Sequence, residues 1–287
     1  MARKLTDAQV AAYRRDGYLF PVPAFDTDHV TASRQRLEAI MTAEGGALTR
    51  RTNQKPHLLF PWLADMIRDA AIVDAVEDIL GPDLLVWGSG FFHKPARDPA
   101  FVSWHQDSTY WGLSSPDVVT AWVAFTPSTP LSGCMQVAPG THLADQMPHR
   151  DTFAGDNLLT RGQEIAVTVD RSKAVDIVLQ PGEMSLHHVR LVHGSEPNRA
   201  DHPRTGYAIR YIPTYVRQTV GERDSATLVR GVDRYGHFEA EPRPRADFDP
   251  EALAFHARMV ERTTGILYTG ASQRRDLGDG RSLAGRG

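Results

Sequence analysis

The sequence predicts a mainly β protein, a double-stranded β-helix (a cupin-like jelly roll) with N-terminal helices packed on one sheet. Three observations predict this fold: a helical pattern over the first eighty residues, short runs of strand character between about residues 84 and 213, and Gly, Pro, Asp and Asn between those runs. Two packed sheets are the simplest arrangement that protects so many strand edges.

The N-terminal part of the chain carries the helical signals. Thr6 and Gln9 have the spacing of a capping box, and Gly17 is suited to end the helix that follows. Apolar residues at three- and four-residue spacing predict a second, longer helix. The predicted helices cover residues 7–16, 28–44, 61–69 and 71–80.

The strand signals begin at residue 84. The predicted strands cover residues 84–93, 101–106, 118–127, 134–138, 164–168, 174–178, 183–187 and 205–213. A charged, proline-rich stretch follows, and then a helix is predicted over 250–264. We therefore expect one domain over residues 1–270, with a helical part (1–83), a jelly-roll core (about 84–215) and a C-terminal extension (216–270). The Gly- and Arg-rich residues 271–287 are expected to be a disordered tail.

Composition limits the partners of the protein. The 287 residues are 41% hydrophobic and 23% charged, with a formal net charge of −3, so there is no basic footprint for nucleic acid or an anionic membrane surface. The single cysteine, Cys134, cannot form an intrachain disulfide. We find no secretory signal and no apolar run long enough to span a bilayer, and we expect a cytoplasmic protein. The oligomeric state is not indicated.

The motif that carries chemistry is Trp104-His105-Gln106-Asp107, at the end of a predicted strand, together with the distant His193. Alternate residues of an extended chain project to the same side, so His105 and Asp107 can point at one centre. His193 can join them from another strand. Two imidazoles and one carboxylate leave three positions of an octahedral metal free, which is typical of oxygen-activating iron(II).

A His-x-Asp triplet alone is a weak signal, because it often occurs by chance. Here Arg204 follows eleven positions after His193, at the start of a predicted strand. A guanidinium pairs bidentately with a carboxylate, so an inward Arg204 suits the distal carboxylate of 2-oxoglutarate, whose keto acid end would chelate the metal and leave one position for O2. The alternative is a surface arginine in an ordinary ion pair.

At this point the chain resembles the phytanoyl-CoA dioxygenase-like (PhyH) family of Fe(II)/2-oxoglutarate oxygenases, which includes the ectoine hydroxylases. The matching blocks span about residues 84–213. They are Phe92-His93-Lys94-Pro95, Trp104-His105-Gln106-Asp107, Gly133-Cys134-Met135-Gln136-Val137-Ala138-Pro139-Gly140-Thr141-His142, and His193-Gly194-Ser195-Glu196-Pro197-Asn198 with Arg204.

The resemblance implies a role for each matching site residue. The iron ligands would be His105, Asp107 and His193. Arg204 would bind the 2-oxoglutarate carboxylate, and Ser195 matches a position that helps to hold it. Trp122 lies where related enzymes place an aromatic ring against the co-substrate, although a tryptophan in a strand is as often part of a core.

Four further residues are candidates for the substrate pocket. Trp111 resembles a pocket aromatic of the ectoine enzymes, or is a partly buried loop residue. Lys94 matches a Lys-Pro near the mouth of the site and could attract an anion, or is merely solvated. His187 is interpreted as a pocket residue or a neighbour of the ligands rather than a ligand. Arg210 shares a strand face with Arg204, and either meets substrate or pairs with a buried acid.

These residues lead to one hypothesis and two alternatives. The hypothesis is an oxidoreductase, an Fe(II)- and 2-oxoglutarate-dependent dioxygenase that hydroxylates a small, anionic organic molecule and releases succinate and CO2. Asp107 favours hydroxylation, since halogenating relatives have a small residue there, while desaturation or ring closure stays open. The alternatives are a cupin-type metal-dependent isomerase or hydrolase and a non-catalytic metal-binding relative. Arg204 and Ser195 argue against the isomerase or hydrolase, because such an enzyme needs no carboxylate clamp.

Overall fold

The computed structural model describes residues 3–167 and 169–272. Within these residues the helices are α1 (Asp7–Asp16), α2 (Thr27–Ala43), α3 (Arg50–Asn53), α4 (Pro61–Met66), α5 (Ala70–Leu80) and α6 (Pro250–Leu267). The strands are β1 (Tyr18–Pro23), β2 (Leu84–Lys94), β3 (Val102–His105), β4 (Val119–Ala124), β5 (Met135–Val137), β6 (His149–Asp151), β7 (Gln163–Ile165), β8 (Val175–Ile177), β9 (Glu183–His188), β10 (His193–Ser195), β11 (Arg204–Pro213), β12 (Ser225–Arg230) and β13 (Glu239–Ala240).

Two sheets form the body of the protein. The larger sheet has the order β1-β9-β4-β11-β2-β12-β13 and the smaller one β3-β10-β5-β8, while β6 and β7 form a separate pair. Trp122 and Ala208 of the larger sheet pack with Met135, Val137 and Ile177 of the smaller sheet in one buried cluster. The predicted jelly roll is confirmed as two facing sheets, which do not join into a closed barrel.

The N-terminal helices cover the outer face of the larger sheet, as predicted. Apolar residues of α5, such as Ile72 and Val76, share one buried core with alternate residues of β11, namely Tyr207, Ile209 and Tyr211. The Tyr211 hydroxyl also donates to the carbonyl of Ile67 at 3.0 Å. Because side chains alternate along a strand, the even-numbered residues of β11 point into the space between the sheets.

The start and end of α1 follow the sequence signals. The Thr6 hydroxyl accepts from the Gln9 amide at 3.2 Å, and the Gln9 side chain accepts from the Thr6 amide at 2.9 Å, which confirms the capping box. Gly17 ends the helix at φ +86°, where a Cβ would also lie 2.4 Å from Nδ1 of His142. Glycine is therefore required here both by the backbone conformation and by the close approach of the imidazole.

Several elements differ from the sequence prediction. The structure adds β1, whose two prolines obscure its strand pattern, and the short strands β6, β10, β12 and β13. The strand predicted over 164–168 is observed as β7, which is shorter and begins one residue earlier. The tail predicted over 271–287 lies outside the described residues from residue 273 onward. Within the described chain, no helix is long and apolar enough to cross a membrane.

Candidate metal centre

Neighbouring strands of the smaller sheet bring the predicted metal ligands together. β3 and β10 are antiparallel, and His105 stands directly opposite His193 in their register. Asp107 begins a 3-10 turn two residues after the end of β3. One ligand atom from each of the three side chains lies within 4.8 Å of the others. The fold therefore converts a separation of more than eighty residues along the chain into a single cluster.

Hydrogen bonds fix which imidazole nitrogens face the cluster. Nδ1 of His105 lies 2.8 Å from the Ser103 carbonyl, and Nδ1 of His193 lies 2.9 Å from the Leu191 carbonyl. A carbonyl oxygen only accepts, so each Nδ1 carries the hydrogen and each Nε2 presents a lone pair in the neutral ring. Nε2 of His105 is 3.3 Å from a carboxylate oxygen of Asp107. Electron-pair donors that converge in this way fit a cation held between them.

The charge states also suit a cation. Burial lowers the pKa of His193 to about 4, so its imidazole is neutral near pH 7, which is the state that binds metals. Burial alone would raise the pKa of Asp107, but the contact with His105 and the nearby positive charge of Arg210 hold it well below its ordinary range. A neutral imidazole therefore stands beside an ionised carboxylate.

The backbone between the first two candidate ligands is held by residues that the sequence did not single out. His149 accepts through Nε2 from the Gln106 amide at 2.9 Å. The Gln106 side chain donates to the Arg190 carbonyl at 2.8 Å, and it accepts from the Met147 amide at the same distance. Gln106 lies between the two candidate ligands along the chain and points away from the centre, where these contacts hold the segment that carries both ligands.

Arg204 lines the inner pocket together with the three candidate ligands. Its side chain is 2% exposed and makes no hydrogen bond or ion pair with any described residue. The guanidinium carbon lies 4.5 Å from the centre of the Trp122 ring. Burial lowers its pKa to about 10, so it remains charged at pH 7. A buried charge without a partner is costly, and the pocket is therefore suited to an anion that arrives from outside.

Two hydroxyl groups share the pocket of Arg204. Ser195 accepts a hydrogen bond from Nζ of Lys94 at 2.7 Å, which leaves its own hydroxyl hydrogen free to donate. Thr120 lines the same pocket, and its hydroxyl is buried without any partner among the described residues. Thr120 was missed because an alternating strand pattern does not tell which side chain meets a ligand.

Lys94 does not lie at the mouth of the site, and that prediction is wrong. Its side chain is 0% exposed, because β2 continues to Lys94 and directs it beneath Ser195. The ammonium group also donates to the carbonyl of Glu196. Burial, followed by the charge of Arg204, lowers the pKa of Lys94 to about 7. The lysine supports the pocket from below and cannot attract an anion from solvent.

The buried lysine should make folding stability depend on pH. The ordinary lysine pKa of about 10.4 applies in the unfolded chain, so between pH 7 and 10.4 the unfolded state binds more protons and stability rises with pH. We expect urea unfolding of Lys94→Met to lose this contribution, which amounts to at most about 1.4 kcal/mol per pH unit. Lys173→Met, at a side chain that is 81% exposed, serves as the control. Equal pH slopes for wild type and Lys94→Met would contradict the pKa shift.

Trp111 lines an outer cavity, His187 lines the inner pocket, and Arg210 lines both. Arg210 is half-buried and makes no hydrogen bond or ion pair with a described residue. The charge of Asp107 reaches it, but the close pair expected with a buried acid is not formed. Its guanidinium carbon lies 5.4 Å from the centre of the Trp111 ring. Nε2 of His187 lies 3.9 Å from the second oxygen of Asp107. Burial lowers the pKa of His187 to about 3, and the neutral ring stands beside the three clustered ligand atoms.

An outer cavity of about 300 Å³ opens from the centre toward the surface. Phe92, Asp107 and Arg210 line both this cavity and the inner pocket, and so form the neck between them. Its lining includes Leu267 and Tyr268, which come from the end of α6 and the residue after it. The sequence left the role of the C-terminal extension open, because nothing local indicates that it returns to the site.

Comparisons with known proteins show the family to which the chain belongs. The family model for phytanoyl-CoA dioxygenase (PhyH) matches residues 13–206, more than half of the chain. A probable alpha-ketoglutarate-dependent hypophosphite dioxygenase of Stutzerimonas stutzeri is 29% identical over 67% of this chain and 64% of that protein. The chain thus spans slightly less than two thirds of this curated relative.

Solved structures extend the likeness over most of the chain. The non-heme monooxygenase ThoJ in its apo form is 38% identical, covers 93% of this chain and 100% of that chain, and has a TM-score of 0.81. The structure of CytC3 with Fe(II) and alpha-ketoglutarate is 27% identical, covers 86% of this chain and 98% of that chain, and has a TM-score of 0.66. The chain belongs to the phytanoyl-CoA dioxygenase (PhyH) family.

Proposed function

We propose that this protein is an Fe(II)- and 2-oxoglutarate-dependent dioxygenase that hydroxylates a small organic molecule. The observation that carries the proposal is the cluster of His105, Asp107 and His193 beside the buried and unpaired guanidinium of Arg204. In the balanced reaction, a C–H compound, 2-oxoglutarate and O2 give the alcohol, succinate and CO2. One oxygen atom of O2 enters the alcohol and the other enters succinate.

In this proposal the Nε2 atoms of His105 and His193 and the Asp107 carboxylate would hold the metal. Iron(II), when bound, supplies the activation of O2 that removes a hydrogen atom from an unreactive carbon. The protein supplies the geometry: the carbonyls of Ser103 and Leu191 orient the imidazoles, and His149 holds the backbone between His105 and Asp107. The three candidate ligands line the inner pocket, and their side chains are mostly shielded from water.

The co-substrate would bind through its distal carboxylate. Arg204 offers the charge, and the free hydroxyl hydrogen of Ser195 offers a second donor on the same side. Trp122 packs against the guanidinium and limits its orientations. A cupin-type isomerase or hydrolase needs no such carboxylate site, and neither does a non-catalytic metal-binding relative, which makes the oxygenase the better explanation of Arg204.

The finer parts of the proposal concern the substrate and the organisation of the chain. We propose an anionic substrate, since Arg210 faces the neck of the outer cavity without a counter-ion. We also propose that residues 1–270 act as one catalytic domain, because Arg161 hydrogen-bonds the carbonyls of Leu267 and Thr269 beside the site. A cytoplasmic location is supported by the single, buried Cys134.

The test is the formation of succinate. Protein loaded with Fe(II) without oxygen should develop the visible charge-transfer band of an Fe(II)–keto acid chelate when 2-oxoglutarate is added. Exposure to air should then yield succinate, and one member of a metabolite panel should accelerate it. Absence of the band together with absence of succinate, or conversion of a substrate without O2, would refute the oxygenase and favour the isomerase or hydrolase.

Gly206 should be necessary for the co-substrate pocket. A Cβ at this position would lie 2.0 Å from Cζ2 of Trp122, so Gly206→Ala must displace the indole that packs on Arg204. We expect a loss of stability of about 1–3 kcal/mol from overpacking, and weaker binding of 2-oxoglutarate. Gly88→Ala is the matched control, since its Cβ would meet Arg210 Cδ at an ordinary 3.7 Å. Equal 2-oxoglutarate affinity and melting temperature in both variants would contradict the packing argument.

A further inference from the structure

We propose that the substrate is an organic anion with a single acid group and a bulky apolar body. Its acid group pairs with Arg210 at the neck, and its body fills the outer cavity against residues 263–269, called here the C-terminal wall. The inference rests on the proposed function and deepens it, because it names the substrate class that the same site accepts.

The first step concerns the cation at the neck. Arg204 and Arg210 line the same inner pocket and both lack an ion-pair partner among the described residues, and the proposed function assigns the keto diacid to Arg204. The carboxylate that interacts electrostatically with Arg210 is that of Asp107, which is also the candidate metal ligand. Arg210 is therefore left to a second anion, and it is held over the Trp111 ring on the wall of the outer cavity.

The second step concerns the other cations of the outer cavity. Lys55 lines the cavity, but its ammonium group lies 2.8 Å from Glu241 and 3.5 Å from Asp224. Arg161 also lines it, and it is paired with Asp151 at 3.1 Å. Arg50 lines the cavity too and has an interaction partner of its own, so these three charges are compensated, in contrast to Arg210. This difference favours one acid group per substrate, at the end nearest to the metal centre.

The third step concerns the body of the substrate. Aromatic and aliphatic side chains make up much of the cavity surface, among them Trp87, Phe91, Leu158, Leu159, Leu267 and Tyr268. The volume of about 300 Å³ is at the lower end of the ~300–1,000 Å³ range of small-molecule sites. Apolar walls of this extent give binding energy only to a ligand that removes them from water. A small inorganic anion would leave them unused.

The C-terminal wall is fixed in place by Arg161. Its Nε donates to the Leu267 carbonyl at 2.6 Å and its Nη2 to the Thr269 carbonyl at 2.7 Å, while its guanidinium carbon lies 3.8 Å from the ring centre of Tyr110. Tyr110 closes the same 3-10 turn that begins with Asp107. The body of the substrate would therefore lie between the wall and the turn that carries a metal ligand, with the carbons next to its acid group closest to the metal centre.

The experiment measures binding without turnover. Protein is loaded with Ni(II), which does not support oxygen activation, and with 2-oxoglutarate, and is titrated calorimetrically with phenylacetate, 3-phenylpropionate and 4-phenylbutyrate, with the corresponding amides, and with acetate. We expect the best acid to bind about tenfold or more tightly than its amide, because a hydrogen bond to a charged group contributes about 1.5–3 kcal/mol. Acetate should bind much more weakly than any of the three acids.

Variants connect this preference to Arg210. Arg210→Met should reduce the preference for acid over amide to about one, and Arg210→Lys should keep part of it, since the charge remains. Arg234→Met, at a side chain that is 71% exposed, is the control and should behave as wild type. The melting temperature and the 2-oxoglutarate affinity of each variant are measured first. If Arg210→Met is not properly folded, the preference of Arg210→Lys for acid over amide is used to test the role of Arg210.

Three results would overturn the inference: equal binding of acids and amides by the wild type, an unchanged preference in Arg210→Met, or acetate binding as tightly as the phenyl acids. Tighter binding of the coenzyme A thioester than of the free acid would also overturn it, because the thioester lacks the acid group next to its body. Failure of the proposed function is seen separately, as absence of the Fe(II)–keto acid band and of succinate, whereas failure of this inference is seen only in the calorimetric preference for acids.

Discussion

Asp107→Ala should abolish oxidation and greatly weaken iron binding. The substitution leaves two neutral imidazoles around a divalent cation and removes the only carboxylate of the three-residue cluster. Loss of a residue that merely supports a metal ligand costs about 10–100-fold in affinity or activity, so loss of a ligand should exceed about 100-fold. The measurements are the iron retained per protein after desalting and the rate of succinate formation.

The control for this variant is Asp145→Ala, at an aspartate whose side chain is 98% exposed. It should retain iron and form succinate like the wild type. The melting temperature of metal-free Asp107→Ala should fall somewhat, because the surroundings that lower the pKa of Asp107 stabilise its carboxylate, so iron binding is measured at a temperature where the variant is folded. If Asp107→Ala kept iron and formed succinate at the wild-type rate, the ligand assignment would be wrong.

Arg204→Met should leave iron binding intact and weaken the use of 2-oxoglutarate. Truncating one partner of a buried charge pair costs ~2–5 kcal/mol, so we expect the dissociation constant of 2-oxoglutarate to rise about 100-fold or more. Without 2-oxoglutarate the variant should be at least as stable as the wild type, because an uncompensated buried charge is gone. A titration of the Fe(II)–keto acid band and thermal unfolding measure the two effects.

Two further variants make the Arg204 result specific. Arg204→Lys keeps the charge but loses the bidentate geometry, and it should fall between wild type and Arg204→Met. Arg199→Met changes an exposed arginine five positions earlier and should have no effect. An unchanged dependence of succinate formation on 2-oxoglutarate concentration in Arg204→Met would exclude the role proposed for this residue.

The features that the sequence predicted well are those with a local cause. The capping box of α1 needs only Thr6 and Gln9, and the shared face of Arg204 and Arg210 follows from strand alternation alone. The spacing of His105 and Asp107 also gave the candidate metal centre, since the two side chains are neighbours along one extended segment.

The features that were missed or misplaced depend on distant contacts. β10 has three residues, and it is a strand only because β3 and β5 pair with it on both sides. Lys94 looked like a solvated residue at a strand end, and its burial depends on the loop after β10 folding over it. Arg161 and the C-terminal wall meet across about a hundred residues of chain, and no pattern in either segment predicts that contact.

The alternation of β11 has a consequence for how this protein can change. One side of the strand packs Tyr207 and Tyr211 against the helices, and the other side places Arg204 and Arg210 in the inner pocket. Deleting or inserting one residue between Arg204 and Arg210 would move every later side chain of β11 to the opposite face of the sheet. A tyrosine ring would then point into the inner pocket, and Arg210 would point toward the helices. Single-residue insertions and deletions should therefore be absent from this stretch in functional homologues. Point substitutions that keep one face apolar and the other face charged should be tolerated.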